Sequence, residues 1–125
     1  MFTRNKEEVK GVKWGNGDSF RMLTEKDEMG FTVCHTIVNA GSESRLQYRR
    51  HLEACYCISG SGRLLSVDGE KSYDIRPGII YALDQNDPHI LIANDDEDLQ
   101  LISVFNPPLN GDEKHSLSTD GFSQY

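Results

Sequence analysis

The sequence predicts an all-β fold, one domain closed as a jelly-roll barrel, and three observations carry that expectation. Short runs of alternating apolar and polar residues recur along the chain, turn residues separate them at regular intervals, and no stretch has the apolar period of a long helix. About eight such strands in sequence call for two packed sheets or a barrel. The 125 residues suit one domain and one core.

Taken in order, residues 1–19 form a polar, charged N-terminal arm, weakly specified, leading to a short strand around Phe20 to Leu23. From Phe31 to Val38 the residues alternate, with Phe31, Val33, His35 and Ile37 on one face and Thr32, Cys34, Thr36 and Val38 on the other. Ala40 to Ser44 is a turn. Leu46 to Tyr48 and Leu52 to Ile58 are extended, and Gly60-Ser61-Gly62 breaks the second run. Arg63 to Val67 and Ser72 to Ile75 flank Asp68-Gly69, the strongest hairpin signal in the chain. After the Pro77-Gly78 turn come Ile79 to Leu83, His89 to Ala93 and Leu99 to Phe105. Residues 107–125 are polar and fit either a flexible C-terminal lid or disorder.

Composition excludes several function classes. A net charge of −7, with 20 acidic against 13 basic residues and no basic stripe, would repel a phosphate backbone, so nucleic acid is not an expected partner. No apolar run is long enough for a membrane span, and the charged stretch Met1 to Lys10 is no secretory signal, so a cytoplasmic location is expected. Cys34, Cys55 and Cys57 are odd in number without a C-x-x-C spacing and read as free thiols. Cys55 and Cys57 share one strand face, where thiolate ligation competes with the plainer reading of small buried side chains.

The strand order and the Pro77-Gly78 turn resemble the cupin superfamily, the double-stranded β-helix or jelly-roll barrel whose metal is held by two neighbouring hairpins. Its first motif reads H-x-H, three or four residues, E, six residues, G. Glu53 and Gly60 fit the second half, while Ser44 to Arg49 hold no histidine. In the second motif a ligand His follows the Pro-Gly turn; Tyr81 stands there, and His89 lies further on. Glu53, Tyr81 and His89 together form a carboxylate, phenol and imidazole set, suited to Fe(II) and tolerable to Zn(II) or Mn(II). Without a family, surface or satisfied core positions explain the same three residues. His51 shares the parity of Glu53 and fits a ligand or a donor behind the ligands, whereas His35 on its apolar face reads as a core residue.

Three segments, HLEACYCISGSG, IRPGIIYALDQNDPH and VFNPPLNGDEKH, resemble the ectoine synthase patterns HLEAVYCIEGEG, IRPGTLYALDKHDKH and VFNPPLTGREVH. Weaker similarity in DEMGFTVCHTIVNAGSES extends the match from about Arg4 to His115. This resemblance implies metal ligands at Glu53, Tyr81 and His89, substrate contacts at Arg21, Thr36, Tyr48 and Phe105, and catalytic groups among Tyr48, Glu113 and His115. It also implies a homodimer and a small acetylated diamino acid as substrate, cyclised with loss of water. Tyr48 or Glu113 would be the base, His115 the acid, and Arg21 the partner of the substrate carboxylate. The chain departs from the family where Gly17 replaces a usual Trp, Gln47 an aromatic and Arg50 a His, while Ser59, Ser61 and Arg63 replace glutamates. Gly17 and Gln47 leave room for a paralogue acting on another N-acylated amino acid; a cupin dioxygenase, against which the absent H-x-H counts, and a non-catalytic metal-binding cupin are the further readings.

Overall fold

A computed structural model describes residues 1–117 and 122–124. Strands β1 (Gly11–Lys13), β2 (Gly17–Leu23), β3 (Thr32–Val38), β4 (Glu43–Gln47), β5 (Leu52–Ser59) and β6 (Gly62–Ser66) occupy the first half. They are followed by β7 (Ser72–Ile75), β8 (Ile80–Leu83), β9 (His89–Ala93), β10 (Leu99–Asn106), β11 (Ser116–Leu117) and β12 (Ser123–Gln124). Two sheets result, ordered β1-β2-β3-β10-β5-β8 and β11-β12-β4-β9-β6-β7. All pairs are antiparallel except β12 with β4, which run parallel. The described residues form no helix longer than the two three-residue 3-10 turns, so the all-β expectation holds.

Alternation places one face of each strand between the sheets. Cys34 and Val38 of β3, Leu99 and Leu101 of β10, Cys57 of β5 and Leu83 of β8 meet Leu46, Leu64, Ile75, Leu91 and Ala93 from the other sheet in one core. Each large aliphatic side chain buried this way contributes about 1.5–3 kcal/mol. The Pro77-Gly78 expectation becomes a type II turn: Ile79 donates its backbone N–H to Arg76 O at 3.0 Å, and Gly78 takes φ +96, which a Pro-Gly centre favours. At the β5–β6 junction Gly60 (φ +79) is pressed onto Asp98, where a Cβ would come within 2.3 Å of the backbone oxygen.

The differences from expectation have local causes. The strand predicted around Phe20 begins at Gly17, and β1 forms upstream of it, because a tight turn at Gly15 (φ +103) lets the polar arm fold back as a hairpin. The N-terminal residues are tied down as well, since the Arg4 guanidinium donates to both Asp27 carboxylate oxygens at 3.0 and 3.1 Å and to Met22 O. On β3 the buried face is the Thr32, Cys34, Val38 face, so His35 is not a core residue. It is half-buried on the outer side, with Nε2 2.9 Å from Gln100 Oε1. Alternation gave the period but not which face turned inward. Residues 107–117 pack on the barrel: Leu109 is fully buried, its N–H donates to Thr32 Oγ1 at 2.7 Å, and its carbonyl accepts from Glu25 N at 2.7 Å. The predicted tail also includes residues 118–121 and 125, which lie outside the described residues.

Candidate active site

Between the sheets lies a cavity lined by inward residues of both. On one sheet β2 supplies Ser19, β3 Thr36, β5 Glu53 and Cys55, β8 Tyr81, and β10 Leu101, Ser103 and Phe105. Leu46 and Leu91 come from the other sheet, Trp14 from the β1–β2 turn, Tyr48 from the end of β4 and His115 from the C-terminal segment. Its free volume is about 20 Å³ for a water-sized sphere, enough for about one water.

The β5–β8 register explains the paired acids. Cys55 stands opposite Tyr81 and Glu53 opposite Leu83, so Glu53 and Tyr81 are diagonal neighbours on the inner face. His89 opens β9 on the opposite sheet, is buried, and its ring lies 6.3 Å from that of Tyr48. Its Nδ1 is 2.9 Å from Asp87 O, an arrangement that places the proton on Nδ1 and leaves a lone pair on Nε2. That Nε2 is buried with no hydrogen-bond partner among the described residues.

Burial dominates the electrostatics. It pushes the Glu53 carboxyl up to about 8, against a hydrogen bond with Cys55 that pulls it down. Burial likewise raises the Tyr81 phenol and the Cys55 thiol well above their ordinary values and lowers His89. A buried carboxyl, a buried phenol and an imidazole with an unpartnered Nε2 are all held neutral, and a divalent cation would favour the ionised form of each acid. Glu53 and Tyr81 share the cavity wall, whereas His89 is outside that lining, beside Leu64, Leu83, Asp87 and Pro88; the three side chains are of the types that ligate a divalent metal. Cys55 joins the cavity wall, its Sγ 3.3 Å from Ser103 Oγ, whereas Cys57 turns to Ser59 O and Gly60 O.

The remaining sequence candidates divide into two groups. Thr36, Tyr48, Phe105 and His115 line the cavity with Glu53 and Tyr81. The Tyr48 hydroxyl lies 3.0 Å from His115 Nε2, and the Tyr48 ring meets Phe105 edge-on at 5.1 Å. Arg21 and Glu113 stand behind the wall. Arg21 Nε donates to Ser19 Oγ at 2.9 Å, its Nη2 to Glu113 O at 2.6 Å, and Nη1 lies 3.7 Å from Glu113 Oε1. The Glu113 carboxylate accepts the backbone N–H groups of Asn110 and Gly111. His51 is not on the wall either. Its Nδ1 is 2.7 Å from Pro107 O and its ring abuts Phe105, so it fastens the start of the tail.

Trp14, Ser19 and Ser103 are wall residues that the sequence reading did not select, while Cys55, weighed there as a ligand or a small buried side chain, joins the wall too. Parity with Glu53 on β5 and with Phe105 on β10 could have found Cys55 and Ser103. Trp14 had a signal of its own, a lone tryptophan in an otherwise polar arm.

The ectoine synthase family model matches residues 1–122. The chain belongs to the ectoine synthase family. It is 45% identical over 109 residues to an L-ectoine synthase of Halalkalibacterium halodurans, covering 87% of this chain and 81% of that protein. With the L-ectoine synthase of Desulfatibacillum aliphaticivorans the identity is 48% over 108 residues, covering 86% and 81%. The crystal structure of ectoine synthase from P. lautus superposes with a TM-score of 0.82 at 37% identity, over 89% of this chain and 81% of that one. The barrel is accordingly a cupin, as expected for an ectoine synthase.

Proposed function

We propose that the cavity catalyses the cyclising dehydration of N-γ-acetyl-L-2,4-diaminobutyrate to ectoine, a carbon–oxygen hydro-lyase reaction of compatible-solute biosynthesis. Membership of the ectoine synthase family supports this reading. The observation on this chain that carries it is the Tyr48–His115 hydrogen bond on the wall of the cavity that also holds Glu53 and Tyr81.

In this reaction the substrate's ammonium group gives up two protons, both of which leave with the acetyl oxygen as water, so none is taken up from solvent. A phenol hydrogen-bonded to an imidazole can carry that traffic. Tyr48 accepts each proton in turn from the amine as it passes its own to His115; the first converts the acetyl oxygen to a hydroxyl, and His115 delivers the second to that hydroxyl as it leaves as water. Glu113 is the alternative base in sequence, but its carboxylate is engaged by two backbone N–H groups, and it acts instead by holding the segment that carries His115. Arg21, buried beside Ser19 and paired with Glu113, is the guanidinium that the resemblance assigns to the substrate carboxylate. Phe105 and Leu101 keep the cavity apolar and nearly dry, which favours loss of water over its addition.

Glu53, Tyr81 and His89 would hold a divalent cation, Fe(II) in the first instance and Zn(II) or Mn(II) as alternatives. Its chemistry there is Lewis-acid polarisation of the acetyl carbonyl.

The direct test is an anaerobic assay of iron-loaded protein with the acetylated diamino acid, following ectoine by chromatography beside a Glu53→Ala control. Ectoine formed by the wild type and lost in the control supports the reading; a folded, metal-loaded protein that forms none refutes it. Neither departure behind the paralogue alternative favours it. Gln47 is outside the cavity, bonded to Asn86 O and Arg49, and a side chain at Gly17 would run into Ile37 O rather than reach the cavity.

The working form we propose is a homodimer in the cytoplasm. The outer face of the β10-β5-β8 region exposes Tyr56, Ile58, Ile80 and Val104, an apolar surface suited to a second copy of the chain. No helix among the described residues is long and apolar enough to cross a membrane.

A further inference from the structure

We infer that Trp14 is a substrate-positioning residue, whose indole walls the cavity and whose Nε1–H donates to a carboxylate oxygen of the bound ligand. This rests on the reading of the cavity as the site for the acetylated diamino acid.

Three observations meet at this side chain. Trp14 is 8% exposed and lines the same cavity as Thr36, Tyr48 and Glu53. Its Nε1 is buried without an acceptor among the described residues, although buried donors are nearly always paired and an indole N–H can only donate. An acceptor supplied by the ligand would complete it. The third observation concerns the backbone beside it: a Cβ at Gly17 would fall 1.8 Å from Ile37 O and 3.2 Å from Trp14 Nε1. No side chain fits at position 17, where the family resemblance places an indole, because Ile37 O blocks it; the indole nearest that position comes from three residues earlier.

The β1–β2 turn sets this up. Trp14 N donates to Gly17 O at 3.2 Å, closing the turn and turning the side chain inward, where its ring meets His115 edge-on at 5.7 Å. The acceptor is assigned by the neighbours. Ser19 is the polar residue of β2 on this wall, and its hydroxyl, which accepts from Arg21 Nε, keeps a proton to donate. A carboxylate can accept from both this hydroxyl and the indole N–H, whereas an ammonium cannot accept from the indole.

Because Trp14 is the single tryptophan of the chain, one indole N–H resonance reports on it alone. Ectoine, which keeps the carboxylate and needs no turnover, is titrated into metal-loaded protein labelled with nitrogen-15. The expected result is a saturable downfield shift of that resonance. Trp14→Phe should raise KM about tenfold, the scale of one lost hydrogen bond to a charged acceptor, and change kcat less than about threefold. Should Trp14→Phe fail to fold, replacing the residue with benzothienylalanine removes the donor while keeping the shape, and the same rise in KM is expected. An enzyme that makes ectoine while the resonance stays still, or while KM stays within twofold in the donor-less variant, overturns the inference and leaves the proposed reaction standing. A resonance that shifts in a protein making no ectoine supports the Trp14 contact and refutes the reaction.

Discussion

The Tyr48 hydroxyl and His115 Nε2, 3.0 Å apart, join the end of β4 to the C-terminal segment across the cavity. As a relay the two act as one unit, so their losses should not add. Tyr48→Phe and His115→Gln should each lower kcat on the order of 100-fold, and the double variant should fall little further. Steady-state rates of the three proteins, with circular dichroism confirming the fold, check this. Multiplicative losses would mean that the residues act separately.

Glu53 should make the metal-free protein less stable at high pH. Its folded value, about 8, lies above its ordinary 4.5. Between those values the folded protein keeps a proton that the unfolded chain has released, so the stability tied to this group is present at low pH and is lost as pH rises toward about 8. Glu53→Gln removes the ionisation. Metal-free Glu53→Gln should therefore melt above the wild type at about pH 8.5, with the gap closing toward about pH 5. Parallel melting curves would show that the carboxyl is not burdened in this way.

Metal uptake should carry the opposite signature. A cation bound by Glu53, Tyr81 and His89 has to displace protons from the two buried acids, so its affinity should fall as pH drops and binding should release acid into a weakly buffered solution. His89→Ala and Tyr81→Phe should retain much less than one equivalent of iron after dialysis, measured by atomic absorption. Chelation of the wild type should abolish ectoine formation and re-addition restore it.

Gly17→Ala tests the packing against β3 directly. A methyl group there would meet Ile37 O well inside contact distance, so the hairpin has to shift, at a cost of roughly 1–3 kcal/mol. Thermal denaturation should show a lowered Tm together with a loss of activity. An unchanged Tm would indicate that the β2–β3 register is looser than described.

Ile80→Glu should leave the barrel intact and prevent the proposed dimer from forming. Ile80 is 62% exposed at the edge strand β8, and a charge there penalises only an apolar neighbour. Light scattering at several concentrations distinguishes a monomer from a dimer that tolerates the change.

Much of this was legible in the sequence because β structure writes itself at short range. β9 falls on His89–Ala93 as the alternation and flanking turns require, and the Pro77-Gly78 and Asp68-Gly69 turns each close a hairpin or strand junction. The site was legible where one strand carries it, as with Glu53 on β5 and Tyr81 on β8. It was not legible where the third dimension decides. Alternation is symmetric between faces, so the outward turn of His35 had no local cue. The Arg21–Glu113 contact spans 92 positions, and nothing in either segment announces that Arg21 bonds to Ser19 and Glu113. Trp14 was read as part of an arm because charge surrounds it, while its place at the cavity depends on how the β1–β2 turn closes.

The meeting of Trp14 and His115 at the cavity has a consequence for the order in which the molecule becomes active. Translation produces the indole early and the imidazole late, with the intervening strands between them. A ribosome-bound chain that has completed β5, β8 and β9 carries Glu53, Tyr81 and His89, but β5 still awaits β10, which joins it to β3, and His115 follows later again. The cavity should thus close only when the C-terminal segment has emerged, so no partial chain has the whole site.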